Sequence, residues 1–586
     1  MYAKCGALVK AHEVLQDLHV RDVVSWNALI AGYAQRGQCN EALNCYEQMQ
    51  REGLSPNAIT FTCTLKACGS SRAINVGKKI HEEIMSRGLL KEDIVLGNAL
   101  LDMYAKCGRL AEAQHVFNKL PYRNVVSWST LIAEYTEYGQ YQEALNCFEG
   151  MQSEGLSPNS VTYICMLKVC GRTEALQKGE QIHKEIVNKG LLKNNIVLGN
   201  ALLDMYAKCG MLAKARKVLF ELPSRDVVSW STLIAGYAEH GPHHEALDAL
   251  KQMQREGLAP NAITFISILK ACASLGAIEK GRKIHDEILN RGFLKKDIVL
   301  GTALVDMYAK CGMLSQAQKV LQELPYRDAA TWSALITGYM QQGQDVEALK
   351  CFKQMKNEGL SPDKVSLIGI LKVCGSMRDI DKGEEIHDAI SSRGLLGKDA
   401  MLGTALVDMY AKCGRLAKAQ QLLEELPIRD VVSWSVLIQG YAQQGKGQEA
   451  LNCYEQMQTD GFSPDSVTFI CILKACVSIG AVDKGKQIHE YIIKRGLLRK
   501  DLILGSALVD MYAKCGLLSK ARQVLEDLPD RNIVTWSSLI AGYAQHGQAH
   551  EALNCIEHMV IEGHSPDEIT LLSVLSACGN SRLLDE

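Results

Sequence analysis

Short polar residues recur in this sequence at fixed offsets, and their chemistry is hydrogen-bond recognition. Asn27, Ser129, Ser231, Ser333, Ser435 and Ser537 each follow a tryptophan, and Asn57, Asn159, Asn261, Asp363, Asp465 and Asp567 stand thirty residues further on. Asn both donates and accepts hydrogen bonds, ionised Asp only accepts, and Ser or Thr offers one hydroxyl.

More reactive residues are present in the wrong patterns. None of the 21 cysteines forms a C-x-x-C pair; six lie in Y-A-K-C-G and six in L-K-x-C or L-S-A-C. Cysteine in such apolar helical surroundings reads as a small buried residue rather than a metal ligand or half-cystine. Free thiols in this number point to a reducing compartment. His81, His183 and His285 each precede a Glu by two residues, which is half of the zinc deaminase signature. The other half, P-C-x-x-C, is missing. His387 and His489 occupy the same repeat position, so these histidines read as scaffold. His240, His243 and His244 cluster beside Pro242 in one period only and read as a loop accident. With no P-loop, dinucleotide fingerprint or Ser/His/Asp signal, the chain is not read as an enzyme, and no metal or cofactor is expected.

The composition is that of a folded protein, 47% hydrophobic and 22% charged. No apolar run approaches the ~20 residues of a membrane helix, so a membrane is not an expected partner. The 64 basic and 66 acidic residues leave a net charge of −2. Polyanion binders are often basic in total, but a total says nothing of how charge divides between faces.

The elements that position these residues repeat. M-Y-A-K-C-G starts at Met1, Met103, Met205, Met307, Met409 and Met511, and the six tryptophans keep the same 102-residue step without an indel. Stacked units that touch only their neighbours give such a pattern. Eleven of the twelve prolines fall at two places per period, and a third boundary follows G-L-L-x-x-D, as at Asp93. Cutting there gives units of 35, 36 and 31 residues. Each reads as a helical hairpin. In the first, Trp26, Leu29, Ile30 and Tyr33 form an i, i+3, i+4, i+7 stripe, with Ser25 as N-cap and Gly37 as stop. A second helix is expected over 40–51, with Ala42, Leu43, Tyr46 and Met49 inward and Gly53 ending it. The middle unit pairs T-F-T-C-T-L-K-A-C with I-H-E-E-I, and the short one pairs G-N-A-L-L-D-M-Y-A-K-C with A-E-A-Q-H-V-F. A lone hairpin cannot bury its apolar face, so an all-α solenoid is expected.

Units of this length order, carrying V-V-S-W-N-A-L-I-A-G-Y, L-K-A-C, G-K-K-I-H and L-L-D-M-Y-A-K-C-G, resemble the plant pentatricopeptide repeat family. The mixed lengths resemble its PLS subclass. On that resemblance the chain divides into part of an S unit (1–22), five P-L-S triplets (23–532), a P unit (533–567) and part of an L unit (568–586), without the E/DYW tail of editing members. The resemblance implies a right-handed superhelix of hairpins that binds single-stranded RNA. It implies work in plastids or mitochondria, most often the choice of sites for cytidine-to-uridine editing. It also implies that small editing-factor proteins dock on the L units.

In the family a base is chosen by the fifth and last residues of a unit, and an aliphatic second residue sandwiches it. The P units then pair Asn27 with Asn57, Ser129 with Asn159, Ser231 with Asn261, Ser333 with Asp363, Ser435 with Asp465 and Ser537 with Asp567. The S units pair Asn98 with Asn124, Asn200 with Asp226, Thr302 with Asp328, Thr404 with Asp430 and Ser506 with Asn532. The sandwiching residues are Val24, Val95, Val126, Val197, Val228, Val299, Val432 and Val534. Guanine and uracil carry an imino N–H on the pairing edge, so a last Asp favours them, whereas a last Asn favours adenine or cytosine. A short fifth residue leaves room for a purine; a longer Asn reaches a pyrimidine. The fifth residues of the L units, Thr62, Ile164, Ile266, Ile368 and Ile470, read as spacers that stack on a base. The expected site is 5′-YNYANUANGGNGGNAG-3′, with Y a pyrimidine and N any base. Lys4, Lys106, Lys208, Lys310, Lys412 and Lys514 are candidates for phosphate contacts, as are Lys66, Lys168, Lys270, Lys372 and Lys474.

Two alternatives stay open. Asn, Ser, Thr and Asp at these positions are also ordinary helix caps and turn residues. And the whole chain reads, second, as a protein-binding helical repeat scaffold of the tetratricopeptide type, although that type has a single 34-residue length. Both ends of the sequence look cut within a unit, so a targeting segment or catalytic tail is expected to lie outside it.

Overall fold

The computed structural model describes residues 1–91, 93–397, 399–499 and 501–581; the last five residues of the expected unit 568–586 lie outside the described residues. Among the described residues there are 35 α-helices and no strand. The chain forms two compact units, Met1–Ala303 and Leu304–Glu586.

In the first unit each period contains three hairpins. The tryptophan hairpin pairs helix Val23–Gln35 with Cys39–Arg51, the histidine hairpin pairs Ala58–Ser71 with Ile74–Ser86, and the short hairpin pairs Ile94–Lys106 with Leu110–Lys119. The first helix of each packs on the first helix of the next, from Val23–Gln35 through Ala58–Ser71 and Ile94–Lys106 to Val125–Glu137. Each second helix packs on its own first helix and on the next hairpin's first helix. The second unit repeats this order, with hairpins Ala329–Gln341/Asp345–Asn357, Lys364–Met377/Ile380–Ser392 and Ala400–Lys412/Leu416–Glu425. Both units are therefore the all-α solenoid of helical hairpins expected from the sequence.

The expected stripe forms the core. Trp26, Leu29, Ile30 and Met49 are buried, and Gly37 and Gly53 end their helices at positive φ of 73° and 77°. The cap was misplaced by the sequence reading. The N-cap of Val23–Gln35 is Asp22, and Ser25 is the third helical residue, whose backbone N–H and hydroxyl both meet the Asp22 carboxylate. The L-K-x-C cysteines are buried, and burial pushes the Cys68 thiol up to about 12, so it stays protonated.

Two polar devices tie the hairpins together. In the tryptophan hairpins the indole N–H donates to a glutamate just past the second helix, over 2.9 Å for Trp128–Glu154 and 3.1 Å for Trp332–Glu358. The same glutamates accept from Arg123 and Arg327. One period departs from this. Asp460 stands at the glutamate position; Arg429 still reaches it at 2.9 Å, but Trp434 Nε1 is buried without an acceptor. The missing methylene accounts for the loss. The second device joins histidine hairpin to short hairpin. Nδ1 of His81, His183, His387 and His489 lies 2.8–3.0 Å from the hydroxyl of Tyr104, Tyr206, Tyr410 and Tyr512. These histidines are thus part of the scaffold, and burial lowers the pKa of all four.

Asp460→Glu is expected to stabilise the second unit by about 1 kcal/mol, the worth of one restored hydrogen bond. Denaturant midpoints measured with and without Trp434→Phe check this, since the gain must vanish when the indole N–H is gone. Acid should destabilise the fold through the histidines. Their folded pKa is depressed, so the unfolded chain binds protons more readily. Stability is complete above the unfolded pKa of about 6.5 and falls as pH drops through it towards the folded value. Thermal midpoints at pH 7.5 and 5.5 should differ, and the difference should shrink in His183→Gln and His387→Gln.

Candidate functional site

The start of each first helix carries the candidate residues. A helix leaves its first backbone N–H groups without intrahelical partners, and a side-chain oxygen at the N-cap supplies one. Every proposed last residue of a tryptophan or short hairpin is the N-cap of the next first helix. Oδ1 of Asn57, Asn124, Asn159, Asp226, Asn261, Asp328, Asp363, Asp430, Asp465, Asn532 and Asp567 accepts from the backbone N–H of the third helical residue at 2.8–3.0 Å. The capping alternative is therefore real, and it coexists with exposure: all eleven residues are half-buried or exposed.

That third residue is Thr60, Ser127, Thr162, Ser229, Thr264, Thr331, Ser366, Ser433, Thr468, Thr535 and Thr570 in turn. Each is at most 1% exposed. In ten of the eleven its hydroxyl lies against the same Oδ1, as at Thr264–Asn261 (2.9 Å) and Thr468–Asp465 (2.7 Å); the Ser433 hydroxyl donates instead to the Asp430 backbone carbonyl at 2.9 Å.

Six of the fifth residues reach the same oxygen from the preceding hairpin. Nδ2 of Asn27 donates to Asn57 Oδ1 at 3.0 Å, Asn98 to Asn124 at 3.4 Å and Asn200 to Asp226 at 3.3 Å. Ser231, Ser333 and Ser435 lie 3.4, 2.8 and 3.4 Å from Oδ1 of Asn261, Asp363 and Asp465. Ser129 and Ser537 meet the third-residue hydroxyls of Thr162 and Thr570 instead. Thr302, Thr404 and Ser506 donate to the backbone carbonyls of Ile298, Ala400 and Leu502. Serines 129, 231, 333 and 435 are only 4–6% exposed, and their hydroxyls also reach the carbonyl four residues earlier. A fifth serine therefore shapes the space beside the cap rather than presenting a free hydroxyl.

With Oδ1 engaged, the outer atom is the one left over: Oδ2 for Asp and Nδ2 for Asn. Among the described residues it makes no hydrogen bond at any of the eleven caps. The amide orientation is set by chemistry, because only its oxygen accepts a backbone N–H. Two of the cap carboxylates, Asp226 and Asp567, are held in the ionised form by their partners. Burial raises the Asp226 pKa, but the Ser229 N–H and hydroxyl and the Asn200 amide outweigh burial and hold it below the usual value. The Thr570 hydroxyl and N–H do the same for Asp567.

The second helical residues stand beside the caps. Val24, Val95, Val126, Val197, Val228, Val299, Val432 and Val534 are 53–70% exposed, large aliphatic surfaces left to solvent. Residues at that offset in the histidine hairpins were missed by the sequence reading: Ile59, Val161, Ile263, Val365, Val467 and Ile569 are 49–69% exposed. Their position two residues after the cap was the signal that could have found them.

The PPR repeat family model matches six segments, residues 21–70, 123–172, 225–274, 327–376, 429–478 and 531–580, and a PPR repeat model matches seven more, among them 98–125 and 200–227. A pentatricopeptide repeat-containing protein of Arabidopsis thaliana is 32% identical over all of this chain and 69% of its own length. The chain belongs to the pentatricopeptide repeat family. A chloroplastic member from Arabidopsis is 34% identical over 88% of the chain and 82% of that protein, and a mitochondrial one is 32% identical over 99% and 76%. Other relatives extend further, the chain spanning 61% of two of them. The crystal structure of the pentatricopeptide repeat protein PPR10 in complex with an 18-nt psaJ RNA element is similar in fold, with a TM-score of 0.60 and 19% identity over 99% of this chain and 86% of that one.

The lysines of this family member are not idle. Lys106, Lys208, Lys310, Lys412 and Lys514 pair with Asp102, Asp204, Asp306, Asp408 and Asp510 one turn earlier, at 2.5–2.9 Å. Lys168 pairs with Glu137 at 2.5 Å and Lys270 with Glu239 at 4.0 Å. Glutamine holds the glutamate position as Gln35, Gln341 and Gln443 in the other periods, and there Lys66, Lys372 and Lys474 make no ion pair among the described residues.

Capping and outward presentation are separable. Asn261→Ala should cost about 1 kcal/mol of stability, whereas Asn261→Asp should be nearly neutral because the acceptor remains. Thermal or denaturant unfolding of the two variants checks this.

Proposed function

We propose that the chain binds single-stranded RNA in a sequence-specific way and is the site-recognition module of an organellar C-to-U editing factor of the PLS subclass. The observation that carries the reading is the single unpaired atom at each cap, a donor where the residue is Asn and an acceptor where it is Asp. Unpaired bases offer the matching groups on their pairing edges. Asn Nδ2 suits the bare ring nitrogen of adenine or cytosine; Asp Oδ2 suits the imino N–H of guanine or uracil. The exposed valines flank the base, and the fifth residue sets the room beside it. The predicted site is 5′-YNYANUANGGNGGNAG-3′, read from amino to carboxyl end.

Three further points support the reading. PPR10, whose fold this chain shares, was crystallised with RNA. Relatives are named chloroplastic or mitochondrial, in keeping with an organellar address. The lysine–aspartate pairs offer cations that exchange a carboxylate for a phosphate, which makes affinity depend on salt. The units with isoleucine at the fifth position hold an unselected nucleotide, and small editing-factor proteins dock there.

Selection of bound RNAs from a random pool should return this motif, with affinity falling as salt rises. Asn261→Asp should then change the preferred base at its seventh position from A to G, by about tenfold, the worth of a hydrogen bond exchanged for a mismatch. Equal affinity for A and G in both proteins would remove the code. Retention of peptides but not RNA would favour the protein-binding scaffold.

A further inference from the structure

We propose that the base read by each tryptophan or short hairpin is positioned by a buried hydroxyl of the hairpin that follows it, the third residue of that hairpin's first helix. This rests on the RNA reading given above and assigns a role to residues that no base can touch.

Thr264 shows the geometry. Its hydroxyl lies 2.9 Å from Asn261 Oδ1, accepts the Asn261 backbone N–H at 3.3 Å and lies 2.7 Å from the Ser231 hydroxyl. One fully buried group therefore touches both halves of the readout pair, the fifth residue on one hairpin and the cap on its junction with the next. Ser229 does the same between Asn200, at 2.7 Å, and Asp226, at 2.8 Å. Thr468 does so between Ser435 and Asp465. The hydroxyl keeps Oδ1 turned inward and the remaining atom outward. It also fixes how far the fifth side chain stands from that atom, and so the room left for a purine or a pyrimidine.

Ordinary capping does not require this hydroxyl, and the chain contains its own control. The first helices of the short hairpins are also capped by acidic or amide residues: Asp93, Asn195, Asp399 and Asp501 each accept a backbone N–H at the start of their helix. These caps close the histidine hairpins, whose fifth residues are Thr62 or isoleucine and which select no base. There the third residue is leucine every time, from Leu96 to Leu504. All eleven caps assigned to base reading have Ser or Thr; all five assigned to spacers have Leu. A hydroxyl needed only to start a helix would have no reason to follow that division.

Thr264→Val removes the hydroxyl and keeps the shape; Thr264→Ser restores it. The test measures affinity of the full chain for two RNAs that carry the predicted site with A or G at the seventh position. Wild type should prefer A. In Thr264→Val the preference should fall about fivefold, the worth of one hydrogen bond, and Thr264→Ser should recover it. The ratio of the two affinities is the decisive readout, because a purely structural loss weakens both RNAs alike and leaves the ratio unchanged. A wild-type preference that Thr264→Val fully retains overturns this inference and leaves the RNA reading intact. No preference in wild type overturns the reading itself.

Discussion

One hydrogen bond recurs at every junction on which the candidate site depends: a carboxylate or amide oxygen accepting the backbone N–H of the third residue of the next helix. Helix starts leave backbone N–H groups that such an acceptor satisfies, and on its own the bond is an ordinary cap. Its consequence here lies in what it leaves over. An Asn and an Asp bound in the same way through Oδ1 differ only at the outer atom, which donates in one and accepts in the other. The scaffold is indifferent to the exchange. The stack can therefore vary that atom from junction to junction, Asn at 57, 124, 159, 261 and 532 and Asp at 226, 328, 363, 430, 465 and 567, without disturbing the fold.

That freedom requires everything around the caps to stay constant, and the second helices supply the constancy. In five of the six periods the tryptophan is fixed from behind by a glutamate that also holds an arginine from the preceding hairpin. The period with Asp460 shows how narrow the tolerance is. One methylene fewer keeps the arginine and strands a buried indole N–H. Because the tryptophans lie one residue before the fifth-position side chains, this anchoring also sets where Asn27 or Ser231 stands relative to its cap.

Most of the scaffold was legible in the sequence. The 102-residue step, the Pro and Gly punctuation and the stripe of Trp26, Leu29, Ile30 and Tyr33 give the hairpins almost helix by helix. The cap was legible as a residue type but not as a position. Ser25 and Asp22 are both good caps, and a capping box uses both, so sequence alone does not say which stands outside the helix. The burial of the fifth serines was not legible at all. A serine beside a tryptophan reads the same whether it faces a groove or the neighbouring helix, and only the packing of consecutive first helices decides it. The lysine pairs were there to be read, since Asp102 and Lys106 are four residues apart on one helix, the spacing at which opposite charges meet.

The histidine hairpins carry this division of labour furthest. They keep the exposed aliphatic residue after the cap, Ile59 through Val467, and so keep a surface on which a flat ring can lie. At the fifth position four of the five have isoleucine, which offers no hydrogen bond, and at the third position of the following helix they have leucine in place of the buried hydroxyl. On the proposed reading, stacking surface and polar readout are independent: the first holds a strand in register, the second serves only where a base is to be chosen. On that reading the array passes over a nucleotide without losing its place. That is why a spacer in such a stack is best made by removing the hydroxyl and the polar fifth residue together while leaving the aliphatic ledge and the cap untouched.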